Sequence, residues 1–109
     1  MEFDKSLISG STSLMVLSLL KDEDMYGYKM VKELEKKSKS IFTLKEGTLY
    51  PVLHSLEKEG SISSYFGVGE TGRKCKFYGI TEDGKVLLES KKKEWGTFST
   101  SLNTVIGVE

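Results

Sequence analysis

The sequence predicts a mainly helical α+β fold with its elements in the order α-α-α-β-β-α, and three observations lead there. Residues 43–60 place Leu49, Leu53 and Leu56 at helical spacing and stop at Gly60. Residues 61–80 then hold two runs of β-branched and aromatic residues, joined across Gly67, Gly69 and Gly72. Finally, Leu88, Trp95 and Leu102 recur at heptad spacing along the last stretch. The chain of 109 residues holds one domain, or one domain and a long element that must find a partner.

Taken in order, residues 7–21 form a first helix that is apolar on most sides of its second half. Leu14, Leu17 and Leu20 share one face while Met15 and Leu19 lie on another, so burial from several directions is expected. The acids Asp22, Glu23 and Asp24 suit the N-terminus of a second helix over about 25–38. That helix is expected to bury Tyr28, Val31 and Leu34 and to show Lys29, Lys32, Glu33 and Lys36 to solvent. Lys36, Lys37 and Lys39 sit near its end, where cations are favoured.

Thr43 and Glu46 have the spacing of a capping box for the third helix, and Val52 lies beside its leucine stripe. Pro51 removes one hydrogen bond, so a short bent helix is expected, closed by Gly60 at the position after the cap. Ser61–Phe66 and Lys74–Ile80 read as strands. Thr81, followed by Glu82 and Asp83, caps a fourth helix. Residues 1–81 thus form one unit and residues 82–109 a C-terminal dimerisation helix.

Charge and composition narrow the function. Formal net charge is zero, and only the hairpin is net basic, with Arg73, Lys74 and Lys76 against Glu70. A neutral protein with a basic tip can bind DNA, with a small counterion-release contribution per subunit. The single cysteine excludes an internal disulfide and fits a reducing compartment. One histidine and one cysteine are too few for an ordinary structural zinc site, so neither metal nor cofactor is expected. The apolar run Leu14–Leu20 is not a signal peptide, because acids flank it and no small-residue cleavage site follows. No run is long enough to cross a bilayer, and a cytoplasmic location away from membranes is expected. With one histidine, no nucleophile elbow and no phosphate loop, no catalytic residue is expected and the chain does not read as an enzyme. Cys75, between Lys74 and Lys76, is a candidate redox sensor or simply a small strand residue.

A helix followed by a hairpin with a cationic, glycine-rich tip is how a winged helix-turn-helix meets double-stranded DNA. If the third helix turns its leucines inward, it presents Thr48, Pro51, Ser55 and Lys58, with Tyr50 and His54 on the flanks. Such groups can reach base edges and phosphates from the major groove. They also suit an ordinary solvated face, and the cations Arg73, Lys74 and Lys76 of the hairpin shift the balance towards DNA. Zero net charge leaves a second reading open, a winged-helix module that binds a protein partner instead.

Several strings carry a family resemblance: Tyr26-Gly27-Tyr28, Glu46-Gly47-Thr48-Leu49-Tyr50-Pro51, and Leu56-Glu57-Lys58-Glu59-Gly60-Ser61-Ile62. Arg73-Lys74, Phe77-Tyr78 and Ile80-Thr81-Glu82-Asp83-Gly84 follow in order. Over residues 14–96 the chain resembles the PadR family of bacterial winged-helix transcriptional regulators, and its short C-terminal part resembles the subfamily with a single dimerisation helix. The resemblance implies a homodimer with two third helices in successive major grooves and wings on the flanking backbone. It carries DNA-contact roles onto Tyr26, Thr48, Tyr50, Arg73 and Lys74, and it favours repression. The family often has basic residues where this chain has His54 and Ser55, and a cation where it has Gly79.

The last helix, about 25 residues and about 37 Å long, exceeds what a small winged-helix core can cover. Leu88, Trp95 and Leu102, with Phe98 and Val105 beside them, form a seam whose exposure would be a liability in a monomer, which predicts a dimer. Trp95 reads either as an interface anchor or as a plate for a ligand. Some short PadR members bind planar aromatic or cationic compounds at the dimer interface. By that resemblance Leu7 and Leu14 of the partner subunit would line a slot with Trp95 and Ser99.

Overall fold

A computed structural model of the chain describes residues 3–108. Its elements are α1 (Lys5–Leu20), β1 (Met25–Tyr26), α2 (Gly27–Lys37), α3 (Glu46–Lys58), β2 (Ile62–Val68), β3 (Lys74–Ile80) and α4 (Glu82–Ile106). The architecture is the expected mainly helical α+β fold, with one short strand added. The three strands are antiparallel in the order β1-β3-β2, and β3 pairs with β2 from Ile62↔Ile80 to Val68↔Lys74.

One core joins all the elements. Val16, Leu17 and Leu20 of α1 meet Met30 of α2, Leu49 and Leu53 of α3, Ile62 and Tyr78 of the sheet, and Leu88 of α4. α1 is buried over much of its circumference, as an all-round apolar helix must be. Asp4 starts it by accepting the Ser6 N–H at 2.9 Å. That backbone donor holds the Asp4 carboxyl below its ordinary range.

Three local expectations change. The acids before α2 do not cap it, because the two-residue strand Met25–Tyr26 intervenes and Tyr26 takes the capping position without a side-chain bond. The buried face of α2 is Gly27, Met30 and Leu34, which turns Tyr28 outward to 56% exposure, with the Lys32 ammonium 5.3 Å from its ring. Thr43 does not cap α3 either. Leu44 is drawn into the core as a loop residue, and the backbone enters the helix only after Lys45, leaving Glu46 in the first turn.

Both ends of the hairpin unit are fixed by short-range chemistry. Gly60 adopts φ +84° after α3, the Gly60 N–H donates to Glu57 O and the Ser61 N–H to Leu56 O, which is a Schellman closure. Thr81 Oγ1 accepts the Gly84 N–H at 3.0 Å and donates to Gly60 O at 2.7 Å, so one hydroxyl caps α4 and ties it to the end of α3. A Cβ on Gly84 would lie 2.0 Å from the Ser61 carbonyl oxygen, so glycine is what lets α4 leave the sheet at this angle. Leu88, expected on the seam with a second copy, instead lies in the chain's own core at 2% exposure and has no surface to offer. The first turns of α4 therefore belong to the same core as the winged helix.

Candidate nucleic-acid interface

α3 runs through Pro51 without interruption and separates its two faces cleanly. Leu49, Leu53 and Leu56 are buried, while Thr48, Tyr50, Pro51, His54, Ser55 and Lys58 are exposed. These residues give one helix face short hydroxyls, an imidazole and a cation, the groups that reach base edges and phosphates.

Tyr50 has a second task. Its hydroxyl lies where a Cβ on Gly27 would come within 2.6 Å, so the ring seats against the start of α2 and sets α3 beside it. Burial there, with Glu46 nearby, holds the phenol above its ordinary range.

The wing is stiffened on its outer face by a row of aromatic rings. Register aligns Tyr26, Phe77 and Tyr65 across β1, β3 and β2. Tyr26 meets Phe77 edge-on at 5.3 Å, and Tyr65 stacks on Phe77 at 5.7 Å. The Tyr65 hydroxyl donates to Asp24 Oδ2 at 2.7 Å, which pushes its own pKa up and ties the wing to the turn before β1. Asp24 is thus a wing tether rather than a helix cap. It also crowds Gly79, since a Cβ there would lie 2.6 Å from Asp24 Oδ1 and the Asp24 carboxylate would have to shift to admit a side chain.

The opposite face of the wing carries the cations. Arg73 is exposed in the turn, where its carbonyl accepts the Gly69 N–H at 2.8 Å. Lys74 Nζ sits 5.0 Å from the Phe66 ring centre. Lys76 Nζ lies 5.5 Å from the Tyr78 ring centre and 3.6 Å from Glu57 Oε1 on α3. Glu57 also accepts from Ser64 Oγ, and this hydroxyl together with Lys76 holds the carboxyl below its ordinary range. Reasoning from sequence passed over Glu57 and Ser64, because nothing local in either segment shows that α3 and β2 will meet there.

A second feature lies on the far side of the core. α1 and α4 enclose a groove of about 370 Å³ walled by Leu7, Gly10, Leu14, Trp95 and Phe98, with Lys91 and Glu94 at its edge. Leu7 and Leu14 line this groove with Trp95 of the same chain, because α1 runs along its own α4. Ser99 does not line this groove, and its hydroxyl donates back to Gly96 O at 3.2 Å. A neighbouring groove of about 520 Å³ places Leu14, Leu19, Phe42 and Trp95 beneath Lys37 and Lys92. Beyond it, Phe98, Leu102, Val105 and Ile106 are all exposed. Among the described residues, no helix is long and apolar enough to cross a membrane.

Comparison with known proteins agrees with this geometry. The sequence pattern of the "Transcriptional regulator PadR-like family" matches residues 16–90. Uncharacterized protein X of Lysinibacillus sphaericus is 38% identical over 89 residues, which is 82% of each chain. The structure of a transcriptional regulator from Clostridium thermocellum superposes with a TM-score of 0.83 at 35% identity, over 91% of this chain and 96% of that one. A PadR family transcription regulator from Clostridium difficile R20291 gives 0.74 at 34% identity, over 88% and 98%. The helix, the wing and the long last helix therefore come together in a known setting, and the chain belongs to the PadR-like family of transcriptional regulators.

Proposed function

We propose that the protein is a homodimeric, cytoplasmic repressor that reads double-stranded DNA with α3 and its wing and is released by a small molecule bound beside Trp95. The observation that carries the DNA reading is the division of α3, whose leucines are all buried while Thr48, His54, Ser55 and Lys58 face outward beside a cationic hairpin. Thr48, Tyr50, His54 and Ser55 are assigned to base edges and nearby phosphates, and Lys58, Arg73 and Lys74 to the backbone. Tyr26 packs edge-on against Phe77 at the base of the wing and is assigned to the DNA backbone there.

One subunit has few cations to offer, so pairing two of them is central to this reading. The uncovered residues Trp95, Phe98, Leu102 and Val105 support an interface between two α4 helices. Two half-sites one helical turn apart demand recognition helices separated by about 34–36 Å. A planar aromatic or cationic compound in the Trp95 groove would shift that separation, provided it binds the DNA-competent and incompetent shapes with different affinity.

Gel shifts with DNA from the protein's own promoter region, over a salt series, test the reading. Specific binding that weakens steeply as salt rises supports it. Absence of binding at low salt would sink it in favour of a protein-docking module. The effector half is tested separately by quenching of Trp95 fluorescence with planar dyes; no quenching and no affinity would remove it.

A further inference from the structure

The wing presents only three cations besides its lone acid, and one of them is already engaged inside the molecule. Lys76 Nζ and Glu57 Oε1 are 3.6 Å apart, while the second Glu57 oxygen accepts from Ser64 Oγ. Glu57 projects from α3, Ser64 from β2 and Lys76 from β3, so the contact closes the angle between the recognition helix and the wing. The side chains of Lys76 and Glu57 remain 45% and 34% exposed, so the pair is open to solvent at that angle. An ion pair this exposed adds little to folding stability, so its main consequence is electrostatic. It leaves Arg73 and Lys74 as the unpaired cations of the wing among the described residues.

We infer that Glu57 is a positioning residue that limits the phosphate grip of the DNA-reading face, by holding Lys76 in an internal pair and withdrawing one cation per subunit from the duplex. The inference rests on the DNA reading proposed above. A neutral protein with a basic tip binds DNA through few released counterions, and each cation held back lowers that sequence-blind attraction further. Base contacts from α3 then make up a larger share of the total. The device keeps the protein from being held at random sites, and it sits where helix and wing converge on the same groove.

The experiment is a fluorescence-anisotropy titration of a labelled random-sequence duplex, from about 50 to about 200 mM salt. It compares wild type, Glu57→Gln, Lys76→Ala and the double variant, with thermal melts recorded for each. Glu57→Gln keeps an oxygen for the Ser64 hydroxyl and releases Lys76. Its slope of log affinity against log salt should steepen by about 0.9 per subunit, which is about a three-fold larger loss of affinity per subunit across that range. Lys76→Ala should keep the wild-type slope, and Glu57→Gln should add nothing in the Lys76→Ala background.

An unchanged slope in Glu57→Gln would overturn the inference. So would equal steepening with and without Lys76, since that would be the generic effect of removing any acid. If Glu57→Gln does not fold, Lys76→Ala decides alone, and a slope shallower by about 0.9 per subunit would show that Lys76 already touches phosphate. Wild type that binds no duplex at the lowest salt would overturn the DNA reading itself and this inference with it. Binding with unchanged slopes overturns only the role given to Glu57.

Discussion

In α3 the apolar stripe ends inside the chain, with Leu49, Leu53 and Leu56 at 0%, 1% and 2% exposure. In α4 a stripe of the same kind divides. Leu88 is 2% exposed, whereas Trp95 and Leu102, farther along the helix, are 50% and 41% exposed. The two helices look alike as patterns, yet one has used its apolar surface and the other has kept most of it. The difference lies in length. α3 has 13 residues and fits the core, while α4 has 25 and runs past it. Periodicity marks which face is apolar, and only the shape of the rest of the molecule decides what covers that face.

The comparison breaks most readily at α3. Leu53→Ala should cost about 2–5 kcal/mol in denaturant unfolding, because the methyl groups leave a cavity in the one shared core. A cost below about 1 kcal/mol would mean that α3 is not anchored as described. Next comes the joint between the two regions. Gly84→Ala sets a Cβ against the Ser61 carbonyl and should cost about 1–3 kcal/mol, read as a lower midpoint with α4 helicity retained by circular dichroism.

Leu102→Ala sharpens the contrast. It should leave the unfolding of a dilute monomer almost unchanged and weaken dimer association by more than about 1 kcal/mol in sedimentation equilibrium. A large loss of monomer stability would place Leu102 in the chain's own core with Leu88.

The smallest effect concerns pH. Folding holds the Glu57 carboxyl below its ordinary 4.5, first through the Ser64 hydroxyl and then through Lys76. A carboxyl whose pKa falls on folding stabilises the fold above its unfolded value and loses that contribution as pH falls through the folded value. The melting-temperature difference between wild type and Glu57→Gln should therefore be constant at neutral pH and shrink on acidification below about 4.5. A difference that grows in acid would reverse the assignment.

Much of the α3–wing unit was legible from the chain. Gly60, Thr81 and the leucine stripe act through neighbours a few residues away, so their chemistry is written in local spacing. The failures have a common cause. Tyr28 turns outward and Asp24 leaves its expected cap because a two-residue strand, too short to carry a pattern, pairs with β3. Thr43 loses its cap because the distant core draws in Leu44. Leu88 leaves its expected seam because the chain's own core covers the first turns of α4.

By itself, the sequence determined the order of the four helices and the two hairpin strands, the stop of α3 at Gly60, the apolar face of α3 and the cationic hairpin, all of which follow from backbone preferences and short-range periodicity. Only the tertiary structure decided that Glu57 meets Ser64 and Lys76, that Asp24 tethers Tyr65, and that Leu7 and Leu14 wall the Trp95 groove within one chain. Glu57 and Ser64 are only seven residues apart but sit on opposite sides of the turn that leaves α3, and the other contacts join segments distant in sequence. Their geometry depends on how the whole core packs, and no local spacing encodes that.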